Sequence, residues 1–418
     1  MDTKNVIAAI SLSAAVIIIY SLFFQPDPAT IKKNLAEQNK VEQTTDAPSL
    51  EQNENLVEVS REEALAESDR VQFENNSVIG SISLKGAAID DLTFKDYRIS
   101  LDSDERVKLL APRNIQDGYL VESGFVTTDK NIQIPDSDSV WTVASGRKLT
   151  DQTPIKLQWT NPQGIIFEKE ISLDDQFLFT INQKIINTTN KKYDFYSYGQ
   201  IIRNKTPEIS NFYILHEGLI ADLDGELIEE DYDDIQEKKF SKTAQNGWLG
   251  VGDKYWITSL IPPRGKEFKT TFDYKKKYRA NFVSTEPLEL SANGTIQEEI
   301  QVIIAAKRVN VIDGYAESLN INKFDLVIDW GFLYFITKPL FFGIDYFFNL
   351  LGNYGLAIIA ITICIRLVFF PLANFSFRSM AKMKALQPEM ARLKELHKGD
   401  KMKLQQEMMG LYKKEKVN

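Results

Sequence analysis

The stretch AIIAITICIRLVFFPL, residues 357–372, decides how this chain is organised, because it has the composition of a membrane span yet contains Arg366. On insertion scales, an arginine at the centre of the hydrocarbon costs about 2.5–3.5 kcal/mol. Together with the residues just before it, the stretch predicts a membrane-spanning helix over residues 353–372. Two interpretations explain why the arginine is kept: its long side chain snorkels to the headgroups, or the site is functional.

Helical spacing favours the functional interpretation of Arg366. Gly355, Thr362 and Arg366 are seven and four residues apart, so they share one face of a helix. A stripe of small and polar residues on one side of an apolar helix indicates a wet cavity between helices. These three residues are therefore the candidate lining of a hydrophilic groove.

A second apolar segment lies near the N-terminus. Residues 6–24 carry no charge over nineteen positions, close to the ~20 residues that cross a bilayer. The alternative is a cleaved signal peptide, but the apolar run is longer than the usual ~7–15 residues and no small-residue cleavage site follows it. We therefore predict an uncleaved transmembrane anchor over residues 1–24.

The next segment is predicted to be a flexible polar linker over residues 25–70. It contains no Phe, Trp or Tyr and is rich in Glu, Gln, Asn, Lys and Asp. Such a composition cannot bury enough apolar area to offset the entropy of ordering the chain. The alternative for one part of it, REEALAES at residues 61–68, is a short helix.

Residues 71–318 are predicted to form a large all-β domain. Runs such as FLFTINQKIIN and YWITSLIPP alternate apolar and polar residues, and turn sequences such as NPQG and SANG separate them. Many short strands in one region indicate an antiparallel sandwich. The acidic stretch ADLDGELIEEDYDD resembles a calcium loop only loosely, since it lacks the third ligand position, so we interpret it as an acidic hairpin.

Residues 319–352 form an aromatic region that Lys338, Pro339 and Asp345 interrupt. It is too interrupted to span a bilayer, and it suits an amphipathic helix lying at the membrane surface. Aromatic residues predicted at headgroup level are Trp330, Tyr334 and Tyr346. The alternative is a buried core helix.

The tail, residues 373–418, is predicted to be a basic helical hairpin. The two helices would separate at Gly399 and Asp400, and Pro388 would kink or break the first. Methionine adapts to varied apolar partners, which suits a promiscuous binding surface, whereas the alternative is an ordinary Met-rich seam between the two helices. The methionines concerned are Met380, Met383, Met390, Met402, Met408 and Met409.

Charge predicts the orientation in the membrane. Residues 373–418 carry eleven Lys and Arg against five Asp and Glu, whereas residues 1–372 carry 38 basic and 53 acidic residues. By the positive-inside rule, the tail and the N-terminus lie in the cytoplasm and the acidic β domain lies outside. The basic tail would also attract anionic lipids or a ribosome surface.

The amino-acid composition argues against an enzymatic function. Cys364 is the one cysteine and His216 and His397 are the two histidines, so a His/Cys metal cluster is essentially excluded. No glycine motif cradles a phosphate, and we predict no metal, no cofactor and no catalytic residue. The rival hypothesis is a membrane-tethered carbohydrate-binding or mutarotase-like module, for which the β domain offers only His216 with Glu217 beside it. A third hypothesis is a sensor that passes an outside signal to the hairpin, which would require a partner domain after Asn418.

Several long motifs resemble the YidC/Oxa/Alb family of membrane protein insertases. NYGLAIIAITICIRLVFFPL is similar to the family's arginine-bearing span, and RSMAKMKALQPEM and QQEMMGLYKKEKVN are similar to its cytoplasmic hairpin. GSISLKGAAIDDLTFKDY and NGWLGVGDKYWITSLIPP resemble stretches of its periplasmic domain. The resemblance covers nearly the whole chain in the family's order.

The resemblance implies a fold class and a function. The fold is an α-helical membrane protein with a large all-β periplasmic domain, a β-supersandwich similar to galactose mutarotase domains. Arg366 matches the family's arginine, which lies in a groove open to the cytoplasm and to lipid. The function is insertion, folding and assembly of inner-membrane proteins, alone or with the Sec translocon, in the Gram-negative inner membrane. Family members continue past the equivalent of Asn418, so two of six expected spans are present here.

Overall fold

The computed structural model describes residues 59–207, 216–331, 333–397 and 399–414. The predicted anchor, residues 1–24, and residues 25–58 of the predicted linker lie outside the described residues. The chain divides into two compact units, one ending at Asp329 and one beginning at Trp330. Each unit is described by itself.

The described part of the first unit is built on twenty strands, β1 to β20 in chain order. Eleven strands form one sheet. Nine of them are neighbours in the order β14-β17-β18-β11-β5-β3-β2-β1-β7. The other two, β19 and β4, pair with β11 and β3 respectively. Its members are β1 Arg70–Glu74, β2 Val78–Ser83, β3 Ile89–Arg98, β4 Arg106–Leu110, β5 Tyr119–Val126, β7 Lys148–Leu149, β11 Tyr193–Arg203, β14 Phe240–Ala244, β17 Phe268–Tyr274, β18 Tyr278–Ser284 and β19 Leu288–Leu290.

The other nine strands form the second sheet, in the order β13-β12-β15-β16-β20-β10-β9-β8-β6. All strand pairs of this second sheet are antiparallel, as predicted. The first sheet contains one parallel pair, β1 with β7. The members are β6 Thr142–Ser145, β8 Ile155–Thr160, β9 Ile165–Leu173, β10 Leu178–Asn187, β12 Gly218–Leu223, β13 Glu226–Asp231, β15 Gly247–Gly252, β16 Trp256–Ile261 and β20 Thr295–Ala306.

Alternation along the strands builds one hydrophobic core. In β10, every second residue is buried, as expected for strands with one apolar face. The core is rich in aromatic side chains that meet edge to face, such as Phe73 with Phe179 at 5.2 Å and Phe167 with Phe195 at 5.9 Å between ring centroids. The predicted all-β fold is therefore confirmed.

The acidic stretch forms the predicted hairpin. Strands β12 and β13 pair in antiparallel register, and Asp224 and Gly225 connect them with φ of 54° and 83°. Two central residues with positive φ form a type I′ turn, which matches the twist of the flanking strands. The Asp224 carboxylate accepts the backbone N–H groups of Gln245 and Asn246.

The first unit starts earlier than residue 71. Helix α1, Arg61–Ala66, lies within the predicted linker and begins with a capping box, in which Ser60 and Glu63 satisfy each other's backbone N–H groups. Ala64 packs with Ala111 and Ile115, and Arg61 pairs with Asp91. Because these contacts come from residues remote in sequence, composition alone did not indicate them.

The unit also ends later than the predicted residue 318. After α2, Tyr232–Glu237, and α3, Val309–Ser318, the chain forms a 3₁₀ turn over Phe324–Val327. Ile321, Phe324 and Val327 are buried in the same hydrophobic core. Residues 319–329 therefore belong to the β unit, because their apolar side chains pack on it.

Two glycines of this unit provide a matched prediction. Gly314 lies inside α3 with no neighbour near an added Cβ, so Gly314→Ala should stabilise the unit by about 0.5–1 kcal/mol. Gly225 has φ of 83°, so Gly225→Ala should destabilise it by about 1 kcal/mol. The measurement is the urea midpoint of the full chain in detergent, followed by tryptophan fluorescence. Equal midpoints for the two variants would contradict the assignment.

The second unit is helical: α4 covers Tyr334–Leu351, α5 covers Tyr354–Leu396 and α6 covers Lys401–Lys414. Gly352, with φ of 66°, ends α4, and the Asn353 side chain caps α5 by accepting the Leu356 N–H at 3.1 Å. Among the described residues, α5 is the one helix long and apolar enough to cross a membrane.

Helix α5 does not end where the sequence predicted. The span was expected to end at residue 372, but α5 continues through Pro371 and Pro388 for 43 residues. Of the two outcomes predicted at Pro388, a kink or a break, the break does not occur. Proline removes one backbone hydrogen bond, which a long helix can tolerate. The predicted separation at Gly399 and Asp400 is confirmed, and Asp400 accepts the Lys403 N–H at 3.1 Å.

Candidate functional site

Arg366 lies in the apolar part of α5 with its side chain exposed. It is twelve residues from the start of the helix, roughly 18 Å along its axis. Within the described ranges, no hydrogen-bond or ion-pair partner is found for its guanidinium. The sequence placed this charge in a predicted span, and the described residues provide no counter-ion for it.

Gly355, Thr362 and Arg366 all lie on the single helix α5 and all are exposed. Their spacing places them on one face, as predicted. The Thr362 hydroxyl donates to the Ile358 carbonyl at 2.6 Å. That bond satisfies the hydroxyl within its own helix, so Thr362 needs no partner from another helix. The groove itself stays a prediction.

A different face of α5 packs on α4. Ala357 is fully buried, the Phe348 and Tyr354 rings stack with centroids 4.0 Å apart, and a Cβ added to Gly343 would meet Ile361 Cδ1 at 2.8 Å. At 100° per residue, this packing face lies about 130° around the helix from the Arg366 face. The helix pair therefore leaves the Arg366 face uncovered. Sequence reasoning missed Gly343, whose lack of a side chain permits the close approach.

Helix α4 presents apolar side chains outward, and none of its residues is buried. Tyr334 and Tyr346 are exposed, whereas Trp330, just before the helix, is half-buried. The Lys338 ammonium lies 5.8 Å from the Trp330 ring and 5.7 Å from the Tyr334 ring. A core helix of a soluble unit would bury one face, so this exposure favours the interfacial interpretation over the buried one.

The tail methionines fall into two groups. Met390 and Met408 are half-buried, and the Tyr412 hydroxyl donates to Met390 Sδ at 3.5 Å between α5 and α6. His397 Nε2 lies 3.1 Å from the Glu407 carboxylate and joins the same two helices. The remaining four are exposed: Met380, Met383, Met402 and Met409. The sequence left two alternatives, a seam between the helices and an exposed binding surface. In the structure Met390 and Met408 lie at the seam, and the other four methionines are exposed.

His216, the histidine of the rival mutarotase hypothesis, is held by its neighbours. Its Nδ1 lies 3.2 Å from the Asp231 carboxylate, and its Nε2 lies 3.2 Å from the Leu219 carbonyl. Its backbone N–H donates to the Asp329 carboxylate at 3.3 Å. Both ring nitrogens therefore face oxygen atoms of the protein.

A buried lysine between the two sheets was not predicted. Lys169 is 3% exposed, and its Nζ donates to the Ser123 carbonyl at 2.6 Å. A signal was present in the sequence, because the alternation of β9 places Lys169 on the inward face with Phe167 and Ile171. A charged residue is rarely expected there, and composition gave it no weight.

Two family models match the chain, and they meet between residues 342 and 346, inside α4, rather than at Trp330. The family model of the YidC periplasmic domain matches residues 70–342, and that of the 60Kd inner membrane protein matches residues 346–418. Among solved structures, a galactose mutarotase related enzyme from Lactobacillus acidophilus is 11% identical with a TM-score of 0.39, covering 57% of this chain and 97% of that one. A galactose mutarotase-like protein from Lactobacillus casei is 12% identical with a TM-score of 0.38, covering 57% and 100%.

Curated relatives carry the name membrane protein insertase YidC. The Pelagibacter ubique protein is 73% identical over 100% of this chain and 75% of its own length. The Agrobacterium fabrum protein is 40% identical over 86% of this chain and 61% of its own length, and the Rickettsia felis protein is 38% identical over 99% and 75%. These relatives are named as insertases rather than enzymes. With both family models and the relatives in agreement, the chain belongs to the YidC family of inner-membrane protein insertases.

Proposed function

We propose that this chain, within a protein of its relatives' length, assists the insertion, folding and assembly of inner-membrane proteins, acting alone or with the Sec translocon. Its partners are nascent membrane proteins, with anionic lipids and the ribosome as contacts of the basic tail. The observation that carries the proposal is that Arg366 is exposed on the face of α5 that α4 leaves uncovered and has no counter-ion among the residues that the structure describes.

The physical role of Arg366 follows from its placement. An arginine without a counter-ion in hydrocarbon is stabilised when water reaches it. In a hydrated groove, Arg366 would hold water and a positive field within the inner leaflet. An acidic extracytoplasmic segment of a substrate could rest there, which shortens the apolar distance it must cross. The N-terminus and the hairpin lie in the cytoplasm and the β domain in the periplasm, in agreement with the charge distribution.

The exposed methionines extend this role to recruitment. Met380, Met383, Met402 and Met409 present adaptable apolar surface on two basic helices. Such a surface suits hydrophobic segments of varied sequence, and its lysines suit anionic headgroups. Trp330, Tyr334 and Tyr346 would anchor the start of the helical unit at the membrane surface.

Substituting Arg366 tests the groove. In a version extended to the relatives' full length, Arg366→Ala should reduce insertion of a substrate with an acidic extracytoplasmic segment severalfold, because the positive field is lost. Arg366→Lys should be milder, and Arg378→Ala, on the same helix beyond the apolar stretch, should insert like wild type. The measurement is protease protection of the translocated segment. Equal insertion by wild type and Arg366→Ala would remove the proposal.

Hydration can be tested with the chain's own cysteine. At 100° per residue, Cys364 lies roughly opposite Thr362 on α5 and is itself exposed. A water-soluble maleimide should label Thr362→Cys in a Cys364→Ser background much faster than native Cys364. Equal labelling of the two positions would mean that the Arg366 face is no wetter than the lipid face.

A further inference from the structure

Lys169 stands out among the titratable groups that the insertase proposal does not use. It lies on β9 in the layer between the two sheets, and the polar groups around it are almost completely buried. Exposure is 3% for Lys169, 3% for Trp141, 4% for Ser123 and 0% for Gln183. All four line one cavity, with residues 135–137 at its rim.

The cavity is lined by polar atoms that have no partner among the described residues. They are the Trp141 Nε1, the Ser123 Oγ and both side-chain atoms of Gln183, Nε2 and Oε1. Buried polar groups in proteins are nearly always hydrogen-bonded. Three hydrogen-bond donors, from an indole, a hydroxyl and an amide, thus line the cavity that also holds the lysine amine.

The surroundings of Lys169 offer an ammonium few partners: the Ser123 carbonyl and the face of the Trp141 ring, whose centroid lies 5.0 Å from the Lys169 Nζ. An ammonium has three N–H donors, and within the described ranges only the Ser123 carbonyl accepts one of them. The Glu122 carboxylate at the cavity is already engaged by Arg113 and by Gln200, whose Nε2 donates at 2.8 Å. Burial lowers the pKa of the Lys169 ammonium to about 7. A neutral amine near physiological pH is a nucleophile.

The cavity is narrow. Its empty space, with the open mouth included, is about 370 Å³, but only about 10 Å³ can hold the centre of a water molecule. That is room for roughly one water-sized molecule. Sugars, nucleotides and peptides are too large for this cavity, so a reactant that reaches the amine must be very small.

We propose that Lys169 is a carbamylation site, at which the ε-amine adds carbon dioxide and the Trp141, Ser123 and Gln183 donors hold the carbamate oxygens. The proposal is independent of the insertase function.

The reaction balances without a further reagent. The Lys169 nitrogen lone pair attacks the carbon of CO₂, a C–N bond forms, and one C–O π pair moves onto oxygen. The nitrogen then releases one proton to solvent, which leaves Lys–NH–COO⁻. The remaining N–H can keep the bond to the Ser123 carbonyl, and the carbamate oxygens accept from the donors that otherwise lack partners. Dissolved CO₂ is the only co-reactant.

The experiment traps the carbamate on the full chain in detergent. The protein is incubated near pH 8 with ¹³C-bicarbonate, which supplies labelled CO₂, and is then ethylated with triethyloxonium, digested and analysed by mass spectrometry. The expected result is a ¹³C-labelled ethyl carbamate on the peptide that contains Lys169. A short peptide with an exposed α-amine, added to the same tube, confirms that trapping works. Trapping on that peptide with none on Lys169 would overturn the proposal.

Substitutions test which side chains donate hydrogen bonds to the carbamate. Trp141→Phe keeps the ring but removes the indole N–H, so trapping on Lys169 should fall severalfold. Lys239→Met, at an exposed position between α2 and β14 away from this cavity, is the matched control and should leave trapping on Lys169 unchanged. Unchanged trapping in Trp141→Phe together with Gln183→Met would contradict the assignment of the carbamate to this cavity.

Discussion

Lys169→Met is expected to remove a large part of the pH dependence of the stability of the β unit. In the folded protein, burial lowers the pKa of this ammonium from 10.5 to about 7. Between these two values the folded state holds a neutral amine while the unfolded chain is still protonated. The unfolded state then binds more protons, so the free energy of unfolding rises with pH, by about 1.4 kcal/mol per pH unit at most.

The sign of the effect is set by the lowered pKa. Below pH 7 both states are protonated, and the folded state bears the full penalty of a buried ammonium. Between pH 7 and about 10 that penalty is progressively relieved in the wild type. Methionine has similar length and no charge, so we expect Lys169→Met to be several kcal/mol more stable than wild type at pH 6. The advantage should shrink steadily as the pH rises.

Urea unfolding of the full chain in detergent measures this difference. Four of the five tryptophans, Trp141, Trp159, Trp248 and Trp256, lie in the β unit, so fluorescence reports on it. Carbon dioxide is removed from the buffers to keep the amine unmodified. Lys307, whose pKa burial lowers to about 8, contributes equally to wild type and variant and cancels. Lys239→Met, at an exposed position between α2 and β14, should follow the wild-type pH profile, and parallel profiles for wild type and Lys169→Met would contradict the prediction.

Trp248→Ala is expected to destabilise the β unit by about 3–5 kcal/mol. Trp248 is fully buried on β15, and its ring meets Phe324 edge to face at 5.1 Å. Its Nε1–H donates to the Asn322 carbonyl at 3.0 Å. Truncation leaves a cavity, removes an aromatic contact and leaves a carbonyl without its donor. The truncation should thereby release residues 319–329, the C-terminal segment of the β unit, from the hydrophobic core.

A second variant separates the contributions of Trp248. Trp248→Phe keeps an aromatic ring but loses the bond to Asn322, which should cost about 1–3 kcal/mol. Tyr255→Ala, whose side chain is 59% exposed, is the control and should change stability by less than about 0.5 kcal/mol. The measurement is the same urea transition. An effect of Trp248→Ala within about 1 kcal/mol of wild type would show that the 319–329 segment is held by other contacts.

Part of the fold followed directly from local patterns. The alternation in FLFTINQKIIN predicted β10, and the turn sequences NPQG and SANG lie between strands as expected. The acidic hairpin and the apolar span of α5 were also correct. Each of these features depends on residues within one strand, turn or helix, so period and turn chemistry were sufficient.

The misjudged boundaries have a common cause. Helix α1 was assigned to a linker and residues 319–329 to the interfacial region, although Ala64 and Phe324 pack on the β unit. In both cases contacts with residues far away in the sequence outweighed the local signal, and sequence composition does not register such contacts.

By itself the sequence determined that residues 353–372 form an apolar helix with one arginine, that a strand-rich acidic region precedes it and that a basic tail rich in methionine follows. Only the tertiary structure decided that Met390 and Met408 pack while the other tail methionines stay exposed, and that Lys169 lies buried beside Trp141, Ser123 and Gln183. The physical reason is that periodicity specifies which face of an element is apolar. Which partner covers that face depends on contacts between residues far apart in the chain.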